Sequence, residues 1–241
     1  MFKLVKYFTL LVSACAFSAE ALDLPPPVKI GYIEFPPLYD TVNNKAEGIL
    51  SNITLKVFSD LELDYRELAL PTKRVFSSLK NGKVHLWCGI QIESLKKDVW
   101  IGRQALHYLS LNIYSTVNDI EINNKKDLRG KKVILLMGYD YGGWGEFIRD
   151  GSNQVLFVEV KQHREALKLL QSGRFQYLLN YQAPMQAELE KRPIKSLRKK
   201  NISRLPIVFN VSKALPDGAG LLKQLETSLA ELIKQNKVTV K

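Results

Sequence analysis

Cysteine is almost missing from this chain. Two thiols in 241 residues cannot build a disulfide framework or a four-cysteine zinc site. Histidine is nearly as scarce. His85, His107 and His163 stand alone, and none has a second histidine at the i+2, i+3 or i+4 spacing of a zinc site. There is no Gly-x-Ser-x-Gly elbow for a serine nucleophile. There is no Gly-x-x-x-x-Gly-Lys-Ser/Thr loop to cradle a triphosphate. No stretch reaches 18 apolar residues, so no membrane-spanning helix is expected. What the chain has in excess is positive charge: 35 Lys and Arg against 24 Asp and Glu give +11. A hydrophobic share of 46% argues against global disorder and allows a sizeable core. So basic a chain raises nucleic acid, membrane surfaces and acidic ligands as partners.

The N-terminus narrows those partners. Lys3 and Lys6 precede an apolar run from Tyr7 to Ala16, which is short for a bilayer span. Ala19-Glu20-Ala21 then puts small residues at the two positions a signal peptidase reads. Residues 1–21 therefore read as an export signal cleaved after Ala21, which predicts a periplasmic protein. Val12-Ser13-Ala14-Cys15 resembles a lipobox and offers the alternative of a mature chain anchored through an acylated Cys15. A buried N-terminal helix is the third reading. Export makes nucleic acid an unexpected partner. Residues 114–205 hold 17 basic and 10 acidic residues, a net +7, so most of the charge lies in one half. Cys88 lies in the apolar run Val84-His85-Leu86-Trp87-Cys88 and is expected to be a buried, inert thiol.

Hydrophobic periodicity predicts alternating strands and helices. Val28–Tyr32, 63–70 and 84–90 read as strands, with helices over 48–58 and 73–80 between them. Strands over 133–137, 155–160 and 175–181, with a helix over 163–171, repeat the plan. Leu79-Lys80-Asn81-Gly82-Lys83-Val84 and Leu170-Gln171-Ser172-Gly173-Arg174-Phe175 match as helix end, glycine, basic residue and strand. Such an echo suggests two lobes, although any α/β protein repeats helix–glycine–strand units. A strand over 207–211 and an apolar-striped helix from Leu221 to Ile233 are too little for a third domain and must join an existing lobe.

Two local features carry candidate chemistry. Gly138-Tyr139-Asp140-Tyr141-Gly142-Gly143-Trp144-Gly145 follows a strand and precedes a helix. Its glycines allow backbone N–H groups to face an anion, and its aromatics suit a small organic ligand; a loop with packed aromatics is the plainer reading. The basic run Lys191-Arg192, Lys195–Lys200 and Arg204 reads as a solvated face, or as contact with an anionic lipid or another protein.

From about Val28 to Lys237 the chain resembles periplasmic solute-binding proteins of the amino-acid-binding type. The segments that carry the resemblance are Ile30-Gly31-Tyr32-Ile33-Glu34-Phe35-Pro36-Pro37-Leu38-Tyr39, Gly48-Ile49-Leu50, Pro71-Thr72-Lys73-Arg74 leading to Leu79-Lys80-Asn81-Gly82-Lys83, Asp127-Leu128-Arg129-Gly130-Lys131-Lys132-Val133, Gly173-Arg174 and Val211-Ser212-Lys213. The resemblance implies an α/β fold of two lobes, each a mainly parallel sheet flanked by helices, with hinge strands between them. It implies lobe 1 from 22–113 plus 206–241 and lobe 2 from 114–205. It also implies capture of a small polar or anionic, amino-acid-like solute between the lobes, by a monomer without catalytic residues, metal or cofactor. The partner would be an inner-membrane ABC permease or a sensor kinase. A non-transport envelope or sensor protein with a degenerate ligand site is the alternative.

Carried over residue by residue, the ligand site comprises Tyr32, Phe35, Arg74, Gln91, Lys96, Tyr139, Tyr141 and Tyr181. The chain departs from the family pattern at both ends of the amino-acid clamp. Where that pattern reads Gly-x-Thr-x-Thr-x-x-Arg, this chain has Gly89-Ile90-Gln91-Ile92-Glu93-Ser94-Leu95-Lys96. Lys96 keeps a charge but not the bidentate fork of arginine. Tyr181 stands where an aspartate holds the α-ammonium. An aromatic, anionic or peptide-like ligand is expected instead of an ordinary α-amino acid.

Overall fold

The computed structural model describes residues 27–42 and 45–240. The signal-peptide and lipobox readings fall on residues outside that range. Strand β1 (Val28–Tyr32) leads through a small hairpin, β2 (Asp40–Val42) and β3 (Lys45–Glu47), into helix α1 (Ile49–Asp60). β4 (Tyr65–Ala69), α2 (Thr72–Lys80) and β5 (Leu86–Gly89) follow. β6 (Val99–Ile101) and the long β7 (His107–Ser115) complete the first run. The second run is β8 (Lys132–Leu136), α3 (Trp144–Arg149), β9 (Leu156–Val160), α4 (His163–Gln171) and β10 (Tyr177–Tyr181). α5 (Gln182–Lys191), β11 (Arg198–Ser212) and α6 (Gly218–Lys234) end the chain.

The helices form where periodicity puts an apolar face inward. α2 buries Val75 and Leu79, and α4 buries Ala166, Leu167 and Leu170, one turn apart on one side. All five residues of β10 are buried, as expected for a strand covered on both faces.

The sheet runs β4-β1-β5-β11-β7-β10-β8-β9, with β6 also paired to β11. β1 lies parallel between β4 and β5. β8 lies parallel between β9 and β10. The two runs thus share one plan, with the first strand central and the second and third on its flanks. Gly82 and Gly173, the paired glycines of the sequence echo, both have φ +71°. Between the parallel sets lie two antiparallel strands. β11 pairs with β7 from Arg198 to Ile207 and with β5 from Val208 to Val211. α6 packs on α1, β6 and β11, so the last helix returns to the first half. The expected lobe boundaries fall inside β7 and β11.

Candidate functional site

Between the halves lies a cavity of about 70 Å³, opening into a wider cleft. The first half contributes the β1–β2 loop, β5 with the residues after it, and the inner face of α2. The second contributes Gly138, Tyr139, Asp140 and Tyr181. Leu109 of β7 and Ile207 of β11 form part of the wall.

The β1–β2 loop is shaped by its backbone. Phe35 N–H donates to the Tyr39 carbonyl at 2.9 Å, and Leu38 and Tyr39 N–H both donate to the Phe35 carbonyl at 3.0 Å. The start of α1 grips the loop from behind: Ile49 and Leu50 N–H donate to the carbonyls of Pro37 and Leu38. These are donors that a helix start otherwise leaves unpaired. Gly48 makes this possible. Its φ is +108°, and a Cβ there would lie 2.6 Å from the Leu38 carbonyl oxygen. The result aims Phe35 at the second half.

There Phe35 meets two tyrosines. Its ring centroid lies 5.4 Å from that of Tyr139 and 5.7 Å from that of Tyr181, tilted and edge-on. Tyr139 and Tyr181 are 5.3 Å apart. These are favoured aromatic geometries. Behind them, Tyr141 stacks on Tyr181, and its phenol oxygen accepts the Leu136 N–H at 2.7 Å. The Tyr139 carbonyl is pinned by Arg149 Nη2 at 3.0 Å, and Arg149 is ion-paired to Glu159 at 2.7 Å. A charged network outside the cavity thereby fixes an aromatic wall inside it.

The opposite wall is Trp87, with Phe76 edge-on to it at 5.1 Å. The Trp87 ring lies over Gly89, where a Cβ would come within 2.1 Å of ring carbon Cζ2. The indole N–H is buried and has no hydrogen-bond partner among the described residues. Burial pushes the Cys88 thiol up to about 11, and its sulfur is 3.3 Å from Thr54 Oγ1, in keeping with the inert thiol expected. Burial likewise raises Tyr39, Tyr139 and Tyr181. The one acidic side chain in the wall is Asp140, whose Oδ1 accepts the Gly143 N–H at 3.2 Å.

The eight sequence-derived residues separate. Phe35, Tyr139 and Tyr181 come together in the cavity wall. Tyr32 does not line it: facing the core, it stacks on Tyr39 at 5.9 Å and supports that ring from behind. Tyr141 does not line it either, being fully buried behind Tyr181. Arg74 is exposed, because α2 turns Val75 and Phe76 inward and leaves Arg74 outside. Gln91 and Lys96 line an adjoining groove of about 390 Å³, where Lys96 Nζ is 2.5 Å from Glu93. Asp140, Trp87, Phe76 and Tyr39 were not singled out. All four lie in segments that the sequence marks, but Trp87 and Phe76 read as core from their apolar surroundings, and Tyr39 and Asp140 only as members of their loops.

The basic run also divides. Lys200 Nζ donates to Asn123 Oδ1 at 2.7 Å, and Arg204 sits 4.0 Å over the Tyr108 ring. Lys191 and Arg192 face a different groove, with Lys161 and Arg164 on its other side. Among the described residues no helix is long and apolar enough to cross a membrane.

No protein-family model and no curated protein matches the chain in sequence. Solved structures match it clearly. A histidine kinase sensor domain with similarity to periplasmic binding proteins aligns with TM-score 0.71 and 20% identity, over 89% of this chain and 93% of that one. An ancestral arginine-binding protein bound to arginine gives 0.67 and 19%, over 88% and 95%. The GluR0 ligand-binding core with L-glutamate gives 0.66 and 14%, over 87% and 93%. The two halves are therefore the lobes of a type II periplasmic-binding-protein fold.

Proposed function

We propose that this chain is a periplasmic solute-binding protein that closes its two lobes around a small solute, for ABC-type uptake or for a sensor kinase. The observation that carries the reading is Phe35, a lobe 1 ring packed on Tyr139 and Tyr181 of lobe 2 at the rim of a cavity walled by both lobes. Hinge closure around a ligand is how such a fold works, and β7 with β11 supplies the hinge. Lobe 1 comprises 22–113 plus 206–241, lobe 2 comprises 114–205, and the mature chain is a monomer freed from residues 1–21. Phe35, Tyr139 and Tyr181 touch the solute, whereas Tyr141 holds the Tyr181 ring and Tyr32 backs the Tyr39 ring. Gln91 and Lys96 lie beside the solute's path.

A thermal-shift screen of amino acids, organic acids, sugars, peptides and ring compounds tests this. A ligand at about 100 times its Kd adds about 2.7 kcal/mol of stability. A stabilising compound whose effect is lost in Tyr139→Ala supports capture in the cleft. A flat response across all classes counts against it.

One feature favours a second reading, an interaction protein that keeps the fold. Lys161, Arg164, Lys191 and Arg192 border one groove that contains the single carboxylate Glu188, and none of the four has an ion-pair partner among the described residues. The groove suits an acidic face of an envelope protein. Binding to such a partner would weaken as salt rises and disappear in Lys191→Glu/Arg192→Glu.

A further inference from the structure

We propose that the interlobe cleft takes an uncharged aromatic ring bearing one hydrogen-bond acceptor, and rejects free α-amino acids. The inference rests on the reading of the cleft as a solute site and names what that site selects.

Charge is the first argument. Among the described residues the cavity is lined by one carboxylate, Asp140, and by no Lys, Arg or His. A free amino acid brings a carboxylate that must be desolvated on closure, and a desolvated carboxylate needs a cation or several donors. Here its only charged neighbour is of the same sign. Lys96 and Lys125 lie in the adjoining groove and not in the cavity wall, Lys96 engaged there by Glu93, and Arg74 lies exposed on α2.

Shape is the second. The tyrosine pair already holds a ring, that of Phe35, in tilted and edge-on contacts at 5.4 and 5.7 Å. Phe35 thus displays the kind of group these surfaces accept. The cavity volume of about 70 Å³ is about half that of an engineered cavity that binds benzene. A ring therefore enters as Phe35 withdraws or the lobes part, and the space favours one ring over two.

The third is a polar group in the wall. Trp87 is 4% exposed, lines the cavity, and has a buried indole N–H without a partner. An unpaired buried donor is costly to maintain. The N–H is shut off from solvent in this arrangement, so the same opening that admits the ring must uncover it; a carbonyl or ring nitrogen on the ligand then satisfies it, and one donor specifies one acceptor.

Isothermal titration with benzamide, toluene, L-phenylalanine, L-arginine and L-glutamine tests this directly. Benzamide is expected to bind roughly tenfold more tightly than toluene, the worth of one buried hydrogen bond. The three amino acids are expected to show no measurable heat. Trp87→Phe keeps a ring but lacks the N–H, so it should bind benzamide and toluene equally, with a cooperative melt showing that it is folded. If that variant does not fold, the wild-type ratios decide alone. Amino acids binding as well as benzamide would overturn the ring class and leave solute capture standing. Equal affinity for benzamide and toluene in the wild-type protein, or an unchanged preference in Trp87→Phe, would remove the role of Trp87. Silence from all five probes overturns the ring class, and a silent wider screen would take the solute-binding reading with it.

Discussion

Tyr141 donates its backbone N–H to the phenol oxygen of Tyr181 at 3.0 Å, and the two rings stack with centroids 5.4 Å apart. The resemblance read from the sequence sets Tyr181 against an aspartate that would hold an ammonium group. Here that position holds the protein's own loop. A ring that lines the interlobe cavity stands there in place of a charge, and its phenol oxygen braces the Tyr141 backbone.

Tyr141→Phe therefore reads as a stability change and not as a binding change. It leaves the buried Leu136 N–H without its acceptor, at a cost of about 1–3 kcal/mol. A lower urea midpoint at unchanged slope is the expected result. A loss of solute affinity with the midpoint unmoved would place Tyr141 in contact with the solute instead.

Gly89→Ala should disturb the opposite wall. Its Cβ would fall 2.1 Å from the Trp87 ring, so the indole must move. Overpacking of this kind costs about 1–3 kcal/mol. The emission spectrum of Trp87, isolated in a Trp100→Phe/Trp144→Phe background, reports the displacement. An unshifted spectrum and midpoint would mean that the ring has room to spare.

Phe35→Ala removes the ring that crosses between the lobes. The population should shift toward an open arrangement, because the closed one loses contacts that the open one lacks. Small-angle scattering is expected to give a larger radius of gyration for the variant than for the parent. Identical scattering curves would show that β7 and β11 alone set the lobe separation.

Acid should weaken the fold through histidine. Lys29 donates its backbone N–H to His85 Nδ1 at 3.1 Å, which requires that nitrogen to be unprotonated. Burial, with the Lys29 charge, holds His85 below its ordinary 6.5. Burial lowers His163 in the same direction, partly opposed by Glu188. The unfolded chain then binds the proton first. These terms are fully present above 6.5 and are lost as the pH falls below it toward the lowered native values. Denaturation midpoints at about pH 7.5 and about pH 5.5 should differ in that sense, and less so in His85→Gln. An equal pH dependence in the variant would exonerate His85.

The two-lobe plan was legible because periodicity and glycine punctuation are local. The helix over 163–171 and the glycine echo needed nothing beyond their own neighbourhoods. β7 was missed because its residues 107–115 mix His, Ser and Asn with apolar positions, and its central place in the sheet makes up for them: Asn112 bonds Asn201 across the strands at 2.9 Å. β11 was seen only in its last third, since Arg198–Lys200 read as solvated charge. Of the site, the Tyr139 loop and the Phe35 turn were visible as aromatics beside glycine and proline. Trp87 was not, because a buried apolar strand residue and a cavity wall have the same sequence pattern. Arg74 lies two positions from Thr72 and from Phe76, the α2 residues that line the cavity, and two positions on a helix are a rotation of about 200°.

β11 also has a bearing on when the protein folds. It lies late in the sequence, yet it completes the sheet of both lobes. While a ribosome is still making it, β5 and β7 each lack the neighbour they share. Neither lobe can close its core until residues 198–212 have been made, so the two lobes reach their finished state together instead of one after the other.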